Sequence, residues 1–284
     1  MKNRSLFKNG AILLAAVMLT FTACKRSNNN NGPALTNDDD NGGYASDAAK
    51  LETNNNDVIS IADVAGTTNS GADLRTTATT LGGCATVTND TTVTPHILTI
   101  NFGTTDCVCL DLKKRRGSII VSYTGHYKDS GSTHTITYSN YFVNDLQVSG
   151  SKTVTNMGTN GSGQVYYNVT VNDSLTLGTD SVITWVGNRT RTWLAGYATT
   201  DRSDDAYLIG GTTTLTRANG HTFTFDITVP LQINMGCPWI EAGTVAITGS
   251  TLAATRTLNY GNTASCDATA LLTIGSYTYT ILLL

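Results

Sequence analysis

The chain has little charge, little proline and no long apolar run. Only 14% of its 284 residues are charged, where an average soluble domain carries about 25%. Its 4 prolines exclude a proline-rich rod, and its 27 glycines lack the three-residue period of collagen. Positive charge is not in excess: 18 basic groups face 21 acidic ones, which argues against the basic footprint of a nucleic-acid binder. No apolar stretch reaches the roughly 20 residues that a membrane-spanning helix requires. Gly-x-Ser-x-Gly, His-Glu-x-x-His, phosphate-loop and Gly-x-Gly-x-x-Gly patterns are all missing, so no catalytic residue, cofactor or metal set is expected. What fills the space is threonine, 50 residues of it, a β-branched residue that favours strands over helices.

The N-terminus reads as an address. Lys2, Arg4 and Lys8 precede an apolar run from Ala11 to Phe21, the layout of a secretory signal. The run ends Leu19-Thr20-Phe21-Thr22-Ala23-Cys24, which resembles a bacterial lipobox, and in such signals the cysteine is lipidated and becomes the first mature residue. Residues 1–23 are therefore expected to be a lipoprotein signal peptide, and 24–43 a lipidated Cys24 with a disordered Asn/Asp-rich tether. Several acyl chains on one cysteine suffice for stable anchoring.

Residues 44–79 are expected to form a helical segment and connector. Ala48, Leu51, Asn55, Val58, Ala62 and Ala65 recur at steps of three or four behind Ser46 as N-cap. This predicts an amphipathic helix over Ser46–Ala65 lying on a sheet, weakened at Asn54-Asn55-Asn56. From about residue 80 the period becomes two. Phe223, Phe225, Ile227 and Val229 share one face, as do Val165, Tyr167, Val169 and Val171. Asn219-Gly220 and Gly187-Asn188 have the residue types of hairpin turns. Residues 80–284 thus read as one all-β domain, an antiparallel meander forming a sandwich or a curved, rolled sheet, with one short N-terminal helix before it. Within it Thr99–Cys107 is echoed by Thr257–Cys266, each followed by Gly-Ser and a strand, and each preceded by another cysteine.

Five cysteines remain once Cys24 is assigned to lipid. Cys237 and Cys266 stand symmetrically about Ser250–Thr251, and Cys84 and Cys107 about Pro95, so each pair is expected to close a hairpin as a disulfide. Cys109 could replace Cys107, because strand offsets are not fixed by spacing.

Four groups invite a functional reading. Taking Gly187-Asn188 as a turn, Arg189, Arg191 and Trp193 share a face, and with Tyr197 they form a candidate aromatic and arginine binding surface. Lys113-Lys114-Arg115-Arg116 reads as a basic loop tip able to touch phosphates or an acidic polymer. His126 and His134 flank Asp129-Ser130-Gly131 and could face each other, although a zinc catalyst normally needs three protein ligands. Asp201, Asp204, Asp205 and Glu241 could supply the carboxylate pair of a glycosidase.

Lipobox, Asn-rich spacer, short helix and Thr-rich β-domain together resemble secreted lipoproteins of the Bacteroidota. Asp90-Thr91-Thr92, Asp173-Ser174-Leu175 and Asp180-Ser181-Val182 also resemble the O-glycosylation acceptors of that group. The resemblance implies a cell-envelope location, at the outer membrane on its periplasmic or outer face, with the membrane as a partner through the lipid. It implies no reaction. The expected function is a non-enzymatic β-scaffold binding a glycan or an envelope protein, with no nucleic acid; the alternative is a polysaccharide-acting hydrolase or accessory subunit.

Overall fold

The computed structural model describes residues 43–67, 83–178, 181–199, 203–252 and 255–283. The expected signal segment, Cys24 and the expected tether up to residue 42 lie outside the described residues, as do residues 68–82. Among the described residues one helix, α1 (Gly43–Thr67), precedes the strands. β1 (Thr86–Asp90), β2 (His96–Asn101), β3 (Cys107–Val108), β4 (Lys114–Tyr123) and β5 (Thr133–Val143) come first. The long central strands are β6 (Leu146–Thr159), β7 (Val165–Leu177), β8 (Ser181–Ala195), β9 (Ala206–Thr216) and β10 (Thr222–Asn234). β11 (Ala242–Gly249), β12 (Arg256–Asn259), β13 (Thr269–Ile274) and β14 (Tyr277–Leu282) complete the sheet.

Neighbours in sequence are neighbours in space. Apart from β3, which pairs only with the start of β4, the strands run in chain order from β1 to β14 as one antiparallel meander. β1 and β14 are its edges and do not pair, so the sheet is not a closed barrel. Alternation explains each long strand: in β7, Tyr167, Val169, Val171 and Leu175 are buried, while Asn168, Thr170 and Asn172 are exposed. The threonine content is spent largely on outward positions, where hydroxyls pair across strands. Thr133 meets Thr155, Thr135 meets Thr153, and Thr170 donates to Asn188 at 3.0 Å.

A single layer this wide must curl to make a core. Asp57 and Ser60 lie one turn apart on α1, yet Asp57 binds Arg115 on β4 and Ser60 reaches Met235 just beyond β10. In a flat sheet β4 and β10 would stand about 29 Å apart, six spacings of about 4.8 Å. The sheet therefore rolls around the helix. α1 does not lie on one face as the sequence suggested: Tyr44, Asp47, Ala48, Leu51, Glu52, Asn55, Val58 and Ile59 are all buried, and Thr53 alone is exposed among its described side chains. The helix also runs unbroken through Asn54-Asn55-Asn56. Tyr44 stacks on Phe223 at 5.0 Å.

An enclosed polar helix must have its charges met from the sheet, and among the described side chains Asp47, Glu52 and Asp57 each meet an arginine. Arg217 Nε donates to Asp47 at 3.0 Å. Arg189 Nη2 lies 3.4 Å from Glu52 and also donates to Thr213, while its Nη1 donates to the Gly211 carbonyl. Arg115, only 1% exposed, donates from Nη2 to both oxygens of Asp57 at 2.9 and 2.7 Å and grips Asp111 with both Nη atoms.

Two turn readings part company. Asn219-Gly220 does turn the chain from β9 to β10, with the Arg217 N–H donating to the His221 carbonyl. Gly187-Asn188 instead lies inside β8, paired to β7 on one side and β9 on the other. Gly187 serves close approach: a Cβ there would sit 2.3 Å from the Thr212 carbonyl oxygen. Val229 is half-exposed rather than buried, because β10 bulges between Ile227 and Leu231 around Pro230, which has no N–H for the ladder.

The internal echo is a repeated hairpin. Cys84 precedes β1 and bonds to Cys107 after β2, and Cys237 precedes β11 and bonds to Cys266 after β12. In both, an asparagine faces a threonine, Thr86 opposite Asn101 and Thr244 opposite Asn259. Each asparagine then accepts from the glycine two residues on, Gly103 at 2.8 Å and Gly261 at 2.7 Å. The likeness ends there: Gly117 lies within β4, whereas Gly275 turns β13 into β14. Cys109 is free and buried.

Breaking one fastening should cost far more than breaking a surface pair. Arg115→Met leaves Asp57 and Asp111 with Lys113 alone and is expected to lower stability by up to about 3 kcal/mol in urea titration. Arg116→Met removes pairs to Asp106 and Asp145 at the rim and is expected to leave the urea midpoint almost unchanged.

Candidate functional site

The strand parity of β8 decides where the predicted binding group goes. Without a turn at Gly187, Trp185, Arg189, Arg191 and Trp193 all fall on the inward face. Arg189, Arg191 and Trp193 are 5%, 4% and 4% exposed, so they are not a surface platform. Arg189 lies over Trp185, and the Arg191 guanidinium sits 3.6 Å from the centre of the Tyr207 ring. Tyr197 alone reaches the surface; its ring meets Trp193 edge-on at 5.0 Å, and Lys128 bridges the two, donating to the Tyr197 carbonyl.

The basic run is likewise not an open tip. It begins β4, and three of its four cations are engaged: Lys113 with Asp57 at 3.0 Å, Arg115 with Asp57 and Asp111, and Arg116 with Asp106 and Asp145. Lys114 is exposed. His134 is buried between the rings of Tyr123 and Tyr127, whereas His126 lies exposed in the β4–β5 loop, so the two do not converge on a metal. Of the acids, Asp201 lies outside the described residues. Asp204 accepts from Thr199, buried Asp205 accepts from Tyr207, and buried Glu241 accepts from Asn234 beside the Cys237–Cys266 bridge. These carboxylates are spent on local structure. Ser174 is a strand residue whose hydroxyl pairs with Ser149 at 2.8 Å, which makes it a poor glycan acceptor. Asp180 lies outside the described residues, and Thr91 is in the exposed β1–β2 turn.

What the sequence did not reveal is a cavity of about 230 Å³ beside the middle of α1. Val143, Leu146 and Leu175 from the first half of the roll form one wall, and Trp239, Tyr260 and Leu283 from the second half form the other. Trp239 is oriented by its own N–H, which donates to the Leu283 carbonyl at 3.0 Å. Asn54, Asp57, Lys113 and Asn144 supply the polar atoms of the lining. The chain leading into Lys113 exposes Val108, Leu110 and Leu112 at 59%, 64% and 82%, with Leu112 in the left-handed region at φ 63°. An apolar chamber with a few polar groups, flanked by exposed leucines, suits a partner's apolar side chain. No signal could have found it, because its walls lie about a hundred residues apart in sequence.

A helix-filled open roll is the class that the geometry defines. No protein-family model, curated protein or solved structure matches the chain.

The loop flanking the cavity is acid-sensitive by design. Although partial burial opposes its ionisation, Asp111 is held below the ordinary carboxylate range by the hydrogen bonds and charge of Arg115. A depressed folded pKa contributes stability above the unfolded value, about 3.9, and loses it as pH falls through the folded one. Asp111→Asn is therefore expected to flatten the acid limb of the stability curve while remaining weaker at neutral pH, as read by urea midpoints between pH 7 and pH 2.

Proposed function

We propose that the protein is a lipid-anchored lipoprotein of the cell envelope, tethered through Cys24 at the outer membrane, and that its roll is a non-enzymatic scaffold that binds an envelope protein. The cavity carries this reading: it offers an apolar wall, a tryptophan and leucines exposed beside it, with Asp57 and Lys113 already paired to each other. Such a site rewards insertion of one large apolar side chain, worth about 1.5–3 kcal/mol when fully buried. A glycan partner is the less favoured form of the same idea, since sugar stacking wants an open aromatic face and Tyr197 offers one half-exposed ring. The hydrolase alternative finds little support, because the described acids are bound up in turns and strand ends.

The test titrates the mature protein in detergent micelles with short peptides carrying one Leu, Phe or Trp among polar residues, and separately with envelope polysaccharides. Peptides are expected to bind, and Leu146→Trp, which fills the cavity, to weaken them about tenfold or more. Leu112→Ser is expected to weaken them less, with the fold intact by circular dichroism. Polysaccharide binding unchanged in both variants, with no peptide binding, would contradict the proposal.

A further inference from the structure

Not all buried charge in the roll holds the helix. Lys152 on β6 and Asp173 on β7 belong to the sheet alone, 0% and 5% exposed. Lys152 stands opposite Val171 and Asp173 opposite Gly150, so the two are diagonal neighbours on the inward face of adjacent strands, a separation that a long side chain spans. Lys152 Nζ is in direct contact with Asp173 Oδ2 and donates to the Tyr138 hydroxyl at 2.6 Å. Gly150 draws the strands together at this point: a Cβ there would lie 2.1 Å from the Asn172 carbonyl oxygen and 2.8 Å from Asp173 Cα. β6 and β7 are already joined by a long backbone ladder, so an ion pair adds no register that they lack, and a buried pair is no more stabilising than apolar residues of the same size. A different use of these two groups accounts better for their placement.

We propose that Lys152 and Asp173 are joined by an intramolecular isopeptide bond formed once the roll has folded. The amine lone pair of Nζ attacks Cγ of the carboxyl group; the N–C bond forms, a C–O bond breaks, and the departing oxygen leaves as water with one proton from the carboxyl and one from the amine. No oxidant, reductant or other co-reactant is required. Burial prepares both partners for it, pushing the Lys152 amine below the ordinary lysine range and the Asp173 carboxyl above the ordinary carboxylate range, which favours the neutral pair that can react. Tyr138 holds Nζ; the charges of Glu52 and Asp57 on α1 act in the opposite sense, favouring the protonated amine, but do not overcome burial. Both protons that leave with the water come from the reacting pair itself, so no separate relay is needed. Exclusion of water from the site protects the amide from hydrolysis.

Peptide mapping of the denatured, reduced full-length protein decides the matter. Trypsin cuts after Lys128, Lys152 and Arg189 in this region. The isopeptide predicts one looped fragment over 129–189, uncut at Lys152 and lighter than its sequence by one water, with fragment ions linking Lys152 to Asp173. Lys152→Arg keeps the positive charge but cannot form this amide, and it should restore the full mass. Separate fragments 129–152 and 153–189 of unaltered mass in the unmodified sequence would overturn the proposal. That result needs no variant to fold.

Discussion

The structure depends on charge pairing between one helix and the sheet wound about it. Thirteen described strands in simple chain order could lie open; what gives them a common inside is α1. Its aliphatic residues, Leu51, Val58, Ile59 and Ile61, supply the apolar drive. Asp47, Glu52 and Asp57 then fix which strand meets which turn of the helix, through Arg217, Arg189 and Arg115. The three acids are spaced by five residues, so they point in different directions around the axis, as a helix enclosed on several sides requires. Apolar burial alone would leave the helix free to rotate or slide within the roll. Buried pairs penalise each such error with an unpaired charge.

The same arrangement explains the composition. Among the described residues, Arg115, Lys152, Arg189, Arg191 and Arg256 are buried, and the outward strand positions are made polar largely by hydroxyls and amides instead. Threonine suits that task because its branched carbon fits the pleat and its oxygen meets a neighbour across the strand. The cavity follows from the winding: two halves of the sheet, distant in sequence, meet beside the helix and fail to fill the space between Leu146 and Trp239.

Much of the fold was legible in the residues, and the gaps have physical causes. Period two in β7 and the Asn219-Gly220 turn were plain because both are local. The disulfide frame followed from symmetry about turns, and the free Cys109 was settled only by the register of β3 on β4. Gly187-Asn188 misled because glycine serves turns and close strand packing alike. Accepting it as a turn reversed the parity of Arg189, Arg191 and Trp193 and sent a buried cluster to the surface. Reading β8 unbroken from Trp185 would have shown those arginines on the tryptophan face. The helix was found but placed on top of the sheet, since a sequence shows an amphipathic stripe and not how many sides will be covered; its buried acids were the signal to follow.

Native-state hydrogen exchange on α1 tests the enclosure of the helix most directly. A helix held inside the roll by Arg115, Arg189 and Arg217 should exchange its amides only with global opening, as slowly as those of β7 and β8. Amides over 47–62 that exchange in seconds, while β7 and β8 stay protected, would mean that the helix is not the core around which the sheet is wound.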